Sequence, residues 1–531
     1  MTNQPRDRWN SRLVFILAAV GSAVGLGNIW RYPHAAFSAG GGAFLIPYFI
    51  ALLTAGIPLL MLEFGLGHRM QGSAPASYGR AHPKWESLGW WAAMGGLIIA
   101  FYYTVILAWV SFYCYELVKM LVTAQDQLPW DSKGGAATYL FNYVLTGDEN
   151  TKHAENVFAP LNWGALLLNG LMWLAIYVTL RKGAESIGKI IIPTITIPLV
   201  LLFILFFTAI NLDGSSAGLS YYLSPDWSKM DSWQEVIKVA QGAYGQIFFS
   251  LSIGFGTMVA YASFLPKKAD INNSAMIAGL TNSGVEFFGG FITFSVLGFL
   301  ALNNGVFVSD AVEGGFGLAL VSYPTTISQL PFDVTGQALI GLAFFGSLFL
   351  LGYTSAFSLV EPMVIGIVDK FGLSRVAVLR IFCLFGWVVG IIFCTPGGFT
   401  LLDTVDHYLN SYGLLGVGLM QCILVGWVYG PKKLRDHLNH VSERRATWFW
   451  DFCIKFFTPT VLILLLSLNA IDDLRFLWSD EGQLYSNYTG QTQLIGVGAF
   501  ALTIVAAVFF AQRKTNKQGY HDIPEFDYGS K

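Results

Sequence analysis

The sequence predicts an all-α membrane protein of twelve transmembrane helices, and three observations carry that prediction. First, of 531 residues 54% are hydrophobic and only 12% charged, against about 25% charged in soluble domains. Second, twelve apolar stretches are long enough to cross a bilayer core, which takes about 20 residues of helix. They run roughly over 12–37, 42–68, 88–124, 162–180, 190–211, 238–264, 273–303, 337–368, 376–396, 399–429, 449–470 and 491–512. Third, basic residues are unevenly shared between alternate connections. With a cytoplasmic N-terminus, the inner connections hold 16 lysines and arginines between Arg69 and Arg445, and the outer ones hold four: Lys133, Lys152, Lys229 and Arg475. Such an excess sets orientation, and an even number of spans returns the C-terminus to the same side. The expected location is the plasma (inner) membrane, multi-pass, with both termini cytoplasmic.

Other classes fit poorly. A membrane-spanning strand barrel would show short alternating segments. A formal net charge of −2 offers nothing to a nucleic-acid backbone. Cys114, Cys383, Cys394, Cys422 and Cys453 lie in or beside apolar runs without a CxxC or Cys/His cluster, so they read as packing residues. Arg6, Arg8 and Arg12 lead into an apolar run that continues through glycines into a span, unlike a cleavable signal. No P-loop, metal cluster or nucleophile elbow points to an enzyme.

Two stretches are interrupted. The first contains Gly21-Ser22-Ala23-Val24-Gly25-Leu26-Gly27-Asn28, followed by Arg31. Each glycine costs about 1 kcal/mol of helix propensity relative to alanine. Small residues also serve close packing between membrane helices. Glycines that end in a polar Asn equally suit an unwound segment lining a cavity. The sixth stretch has the same character, with glycines, Gln246, Ser250 and Ser252 between Gly245 and Gly256. Interruptions five spans apart mark a five-plus-five inverted repeat with broken helices 1 and 6. Half-helix N-termini can face an anion and freed carbonyls a cation. A substrate with a carboxylate, travelling with sodium, suits both ends.

At these residues the chain resembles the neurotransmitter:sodium symporter family, and its bacterial leucine-type amino-acid transporters in particular. The resemblance rests on Arg12-Leu13, on Gly21 to Asn28 followed by Ile29-Trp30-Arg31-Tyr32-Pro33, and on Gly40-Gly41-Gly42-Ala43-Phe44-Leu45-Ile46-Pro47-Tyr48. Gly56-Ile57-Pro58, Glu63, Gln246-Ile247-Phe248-Phe249 and Thr354-Ser355 continue it. It covers about residues 6–430, and the last two spans match in position only. It implies a transport core over 1–430, with spans 1–5 and 6–10 as inverted repeats. Residues 431–531 would add two peripheral spans and a cytoplasmic tail, of which 513–531 read as polar and flexible.

The resemblance further implies two sodium sites and no organic cofactor. One site would use the Ala23 carbonyl, the side chains of Asn28, Ser250 and Asn282, and the substrate's own carboxylate. The other would use the carbonyls of Gly21, Val24 and Leu351 with the hydroxyls of Thr354 and Ser355. Sodium is a hard cation and takes oxygen ligands. An isolated membrane Ser or Thr more often bonds its own helix backbone; the adjacent pair matching a motif favours ligation. Three departures stand out: Ser250 replaces a common Thr, Leu351 replaces a small residue, and Ser22 stands where leucine-transporting relatives have Asn. Many animal members need chloride at positions matching Tyr48, Gln246, Ser250 and a serine, and here that serine position is Glu286. A carboxylate in a span costs about 2.5–3.5 kcal/mol on insertion scales. The resemblance implies that Glu286 supplies the anion's charge and makes transport chloride-independent; a neutral, hydrogen-bonded Glu is the alternative.

Amine transporters of the family carry an Asp where Gly25 stands, so the cargo here is expected to bring its own carboxylate. Leu26 and Gly27 amides, Tyr103, Ser22 and Ala23 would hold it. Ile99, Phe249, Ser250, Ser252, Phe255, Ser355 and Leu359 would line a space for a small to medium amino acid. Arg31 with Asp406 would gate one side, under a lid of Tyr103 and Phe255. Arg6 with Asp369 would gate the other, with Trp9 beside them and Phe264 where a Tyr is common. Glu63, lacking a basic neighbour, is expected to hold freed amides of a broken helix. Two alternatives stay open: a non-α cargo such as taurine or GABA, and a substrate sensor on the same fold. The bilayer and the amino acid are the expected partners, nucleic acid is not, and a homodimer is left open.

Overall fold

A computed structural model describes residues 8–146, 160–310, 317–478 and 490–526. Among the described residues every regular element is helical, and the one extended pairing is an isolated bridge between Gly41 and Pro225. Among the described residues, ten helices are long and apolar enough to cross a membrane, from Gly42–Met70 to Gly490–Gln512. Arg12–Ala23 and Leu26–Ser38 form a further span, bent by 64° at its break. The sixth span is divided between Trp233–Ser250 and Thr257–Ala262. The fold is therefore the twelve-span, all-α architecture with spans 1 and 6 broken.

Short polar side chains start many of these helices at the ends of apolar runs. Ser11, Asn162, Ser232, Asp270, Asp333 and Ser374 each accept a first-turn amide. Span 5 begins at Ala184, earlier than the apolar run. Its first turn is held by the exposed Glu185–Lys189 pair at 2.8 Å, which hydropathy does not register. Span 3 packs along span 8, and span 7 packs beside the first half of span 1. The connections hold helices of their own: Ala74–Ala81 and Pro431–Val441 on the face that carries Trp9, and Ser215–Leu223 and Tyr323–Gln329 on the opposite face. All five cysteines are free, and all but Cys114 are buried.

The two breaks differ in construction. In span 1 the helix leaves its path at Val24 (ψ 104°), and Gly25 is extended at φ −135°, ψ −161°. In span 6 the chain turns through three left-handed residues, Ser252 (φ 52°), Gly254 (85°) and Gly256 (72°). Gly254 and Gly256 adopt this region at little cost, whereas Ser252 does so under strain.

The tail differs from expectation. Residues 513–526 lie against the Trp9 face, and Tyr520 is only 3% exposed. Arg69, Arg80 and Lys267 donate to the tail carbonyls of Pro524, Tyr520 and Glu525. A polar composition suggested a loose segment; main-chain acceptors, which every sequence offers, hold it down.

Candidate functional site

Asn28 organises the break in span 1. Its Oδ1 accepts from the Gly25 amide at 2.9 Å, and its Nδ2 donates to Asn282 Oδ1 at 2.9 Å. Asn282 Nδ2 in turn donates to Ser250 Oγ at 2.5 Å. Asn28, Asn282 and Ser250 are at most 2% exposed. One chain of hydrogen bonds thus ties the break in span 1 to span 7 and to the last residue of the first half of span 6.

Glu286 lies one turn beyond Asn282 on the same face of span 7. It is fully buried and receives the Tyr48 hydroxyl and Gln246 Nε2, the latter at 2.6 Å. Spans 2 and 6 therefore each bring one partner to this carboxyl on span 7. Tyr32 and Tyr222, joined at 2.7 Å, extend the polar cluster; Tyr32 stands in the motif that carries the resemblance, but nothing in the sequence points to Tyr222, because a buried Tyr carries no local mark of its partner.

A second group of oxygens faces the other side of the break. Thr354 Oγ1 donates to Leu351 O at 2.7 Å, and Ser355 Oγ reaches the same carbonyl at 3.4 Å and Ser22 O at 3.3 Å. Ser252 Oγ donates to Ser22 O at 2.9 Å, and the Ser22 hydroxyl meets Ser358 at 2.8 Å. The two span 8 hydroxyls thus do bond their own helix, while lying against span 1. Gly21 packs onto Ile191 and Ile195 of span 5, whose side-chain ends would have to shift for a Cβ.

Around the break the lining is tight. The Leu26 amide donates to the Tyr103 hydroxyl at 3.3 Å. A Cβ on Gly25 would stand 2.6 Å from Ser355 Oγ and 3.1 Å from that hydroxyl, so only glycine fits without displacement. Phe249 lies over Gly27, and the Leu359 carbonyl and Phe255 flank Gly96, one turn before Ile99. Ile99 and Phe255 face one small cavity. Ala23, Val24 and the other lining residues are buried, whereas Phe249 is half-buried. Opposite the freed backbone, Glu63 Oε1 accepts the Gly254 amide at 2.8 Å and Gln421 Nε2 at 2.8 Å.

On the side of Phe249 that carries Arg31, a vestibule of about 410 Å³ is lined by Arg31, His34, Lys238, Gln246 and Asn410 among others. The expected Arg31–Asp406 ion pair is not formed. The Arg31 guanidinium sits 4.3 Å over the Phe249 ring, and Asp406 accepts the Tyr102 hydroxyl at 2.6 Å. The Tyr102 hydroxyl occupies an Asp406 oxygen, and cation–π attraction to the half-buried ring competes for the guanidinium. The Trp9 face is shut by aromatic packing. Trp9 donates its indole N–H to Tyr261 O at 2.8 Å and its amide to Phe264 O at 3.2 Å. Its ring meets Tyr261 and Phe264 edge-on. Asp369 accepts the Ser73 amide at 2.9 Å; its expected partner Arg6 lies outside the described residues.

Broken helices in a membrane bundle, with carbonyls, hydroxyls and a buried carboxyl gathered at the breaks, define a secondary transporter. This chain belongs to the Sodium:neurotransmitter symporter family, whose model matches residues 6–159 and 136–516. An uncharacterized sodium-dependent transporter of Methanocaldococcus jannaschii is 36% identical over 518 residues, covering 97% of this chain and 100% of that protein. The human sodium- and chloride-dependent creatine transporter 1 is 33% identical over 509 residues, 88% of this chain and 77% of that protein. A dog sodium- and chloride-dependent taurine transporter is 30% identical, over 86% of this chain and 77% of its own.

Proposed function

We propose that this chain is a sodium-coupled symporter that imports a small to medium amino acid by alternating access and needs no chloride. The observation that carries the reading is the continuous cluster Gly25–Asn28–Asn282–Ser250 with Glu286 one turn further. Asn28, Asn282, Ser250 and the Ala23 carbonyl would ligate one sodium, and the cargo carboxylate would complete that shell. Ion and cargo then raise each other's affinity by the same factor. Gly21, Val24, Leu351, Thr354 and Ser355 would hold a second sodium once the two hydroxyls turn from Leu351 O to the ion. The Leu26 and Gly27 amides and Tyr103 face the place for the cargo carboxylate, and Ile99, Phe255 and Leu359 suit an aliphatic side chain. Arg31 over Phe249 would form the outer gate, with Asp406 joining when Tyr102 yields. Trp9 and Asp369 would form the inner one, at the plasma membrane's cytoplasmic face with both chain ends.

Glu286 supports the chloride-free reading, since its fixed carboxyl stands where an anion would otherwise sit between Tyr48 and Gln246. The animal relatives favour a second reading, in which the cargo is a non-α amino acid such as taurine or GABA. Gly25 admits either, because both bring their own anion. Uptake of a labelled panel into proteoliposomes, under an inward sodium gradient with gluconate replacing chloride, tests both. Concentrative uptake that collapses in potassium is expected, and the panel reads out the cargo. Glu286→Ser is expected to lose uptake in gluconate and regain it in chloride. Parent uptake that appears only with chloride would remove the role given to Glu286.

A further inference from the structure

The connection between spans 5 and 6 sends a side chain into the Glu286 cluster. Its helix Ser215–Leu223 lies on span 7 in backbone contact. A Cβ on Gly218 would stand 1.7 Å from Phe294 O, and one on Gly298 would stand 2.3 Å from Gly214 O. Tyr222, which is buried, is thereby inserted among the rings of span 7. Its ring centroid lies 5.7 Å from those of Phe287 and Phe291 and 4.5 Å from that of Phe294. Its hydroxyl donates to the carbonyl of Phe287, the residue after Glu286, at 3.1 Å. A hydroxyl has one proton to give, so in the 2.7 Å pair with Tyr32 it is Tyr32 that donates. Tyr221, beside Tyr222, donates to Phe37 O at 3.1 Å.

The bonds from Tyr32 to Tyr222 to Phe287 O join the second half of span 1 to span 7. They run beside the Asn28–Asn282 bond and one turn beyond it, since Tyr32 follows Asn28 by four residues and Glu286 follows Asn282 by four. Span 7 is weak at this point, because the adjacent Gly289 and Gly290 lower its helix propensity. Gly290 also leaves the space that Tyr222 fills: a Cβ there would stand 2.3 Å from the Tyr222 hydroxyl. We propose that Tyr32 and Tyr222 are positioning residues for the ion site. They pin the weakened turn of span 7, so that Glu286 and Asn282 keep facing Tyr48 and Asn28, and neither tyrosine is itself a ligand. The proposal rests on the reading that Asn28, Asn282 and Ser250 ligate sodium beside Glu286.

The test measures equilibrium binding of radioactive sodium to the full chain in nanodiscs, with Tm followed in parallel. Tyr222→Phe keeps the ring and removes only the hydroxyl. Sodium half-saturation should rise about fivefold, with the same amount of sodium bound at saturation. Tyr32→Phe should do the same, and the double variant should match either single one, because each cuts the same chain of bonds. Tyr221→Phe, which loses a bond from the same helix to span 1 only, should bind sodium as the parent does. A Tyr222→Phe chain with a lowered Tm and the parent's sodium half-saturation would reduce the pair to a structural contact and overturn the proposal. An equal loss in Tyr221→Phe would overturn it too. A parent that binds no sodium would overturn the sodium reading itself, and this proposal with it.

Discussion

The breaks in spans 1 and 6 satisfy their freed backbone amides by different means. In span 1 the loose amide is Gly25's, and it is satisfied three residues away by Asn28, so the break carries its own cap. In span 6 the Gly254 amide is taken by Glu63, 191 positions distant on span 2 and itself steadied by Gln421. A self-capped break can shift as a unit while keeping its backbone satisfied. An externally capped one is tied to its neighbour. On the function proposed above, the difference would assign ion and cargo chemistry mainly to the first break and conformational restraint mainly to the second.

The strongest way to break this comparison is Asn28→Ala. It leaves the Gly25 amide and Asn282 Oδ1 without their partner, and unsatisfied buried groups cost about 1–3 kcal/mol each. Uptake should fall by about 100-fold or more, equivalent to about 2.8 kcal/mol. The sodium-induced rise in Tm should disappear with it, and a rise equal to the parent's would contradict the assignment. Glu63→Ala should lower unfolding stability by about 1–3 kcal/mol, Glu63→Gln by less, because the amide keeps an oxygen that can accept the Gly254 N–H. Sodium half-saturation should stay near the parent value in both; a loss as large as that of Asn28→Ala would mean that the two breaks are not separate in function.

Gly25→Ala sharpens the comparison further. Its Cβ would press on Ser355 Oγ and Tyr103, so cargo half-saturation should rise about tenfold while sodium still stabilises the chain. The smallest effect expected is on pH. His437 is held below the ordinary histidine range by burial, with His68, Arg69 and His440 adding to it, and Lys267 faces the Phe526 ring of the tail, which packs on His437. A proton therefore binds better once the tail has left. Docking is undisturbed above the ordinary value of about 6.5 and weakens as pH falls below it. The protection factors of the 513–526 amides, their observed exchange relative to the intrinsic rate at each pH, should fall between pH 7 and 5, and His437→Phe should flatten that dependence.

Much of the site was legible because it is local. Gly21 to Asn28 carries both the helix-weakening residues and the cap that replaces them, and Thr354-Ser355 are adjacent. Apolar runs marked the spans to within a few residues, since burial in a bilayer acts on every residue of a segment. What the sequence determined by itself is this one-dimensional part: how many spans, where they break, and which oxygens stand near a break. The tertiary structure alone decided which groups meet across the chain. Glu286 receives partners from spans 2 and 6, Glu63 finds Gly254, Arg31 rests on Phe249 instead of joining Asp406, and Arg69, Arg80 and Lys267 grip the tail. The reason is physical. Hydropathy and helix propensity are sums over chain neighbours, whereas a hydrogen bond acts within about 3 Å and goes to whatever packing brings there, including backbone carbonyls that no side chain announces.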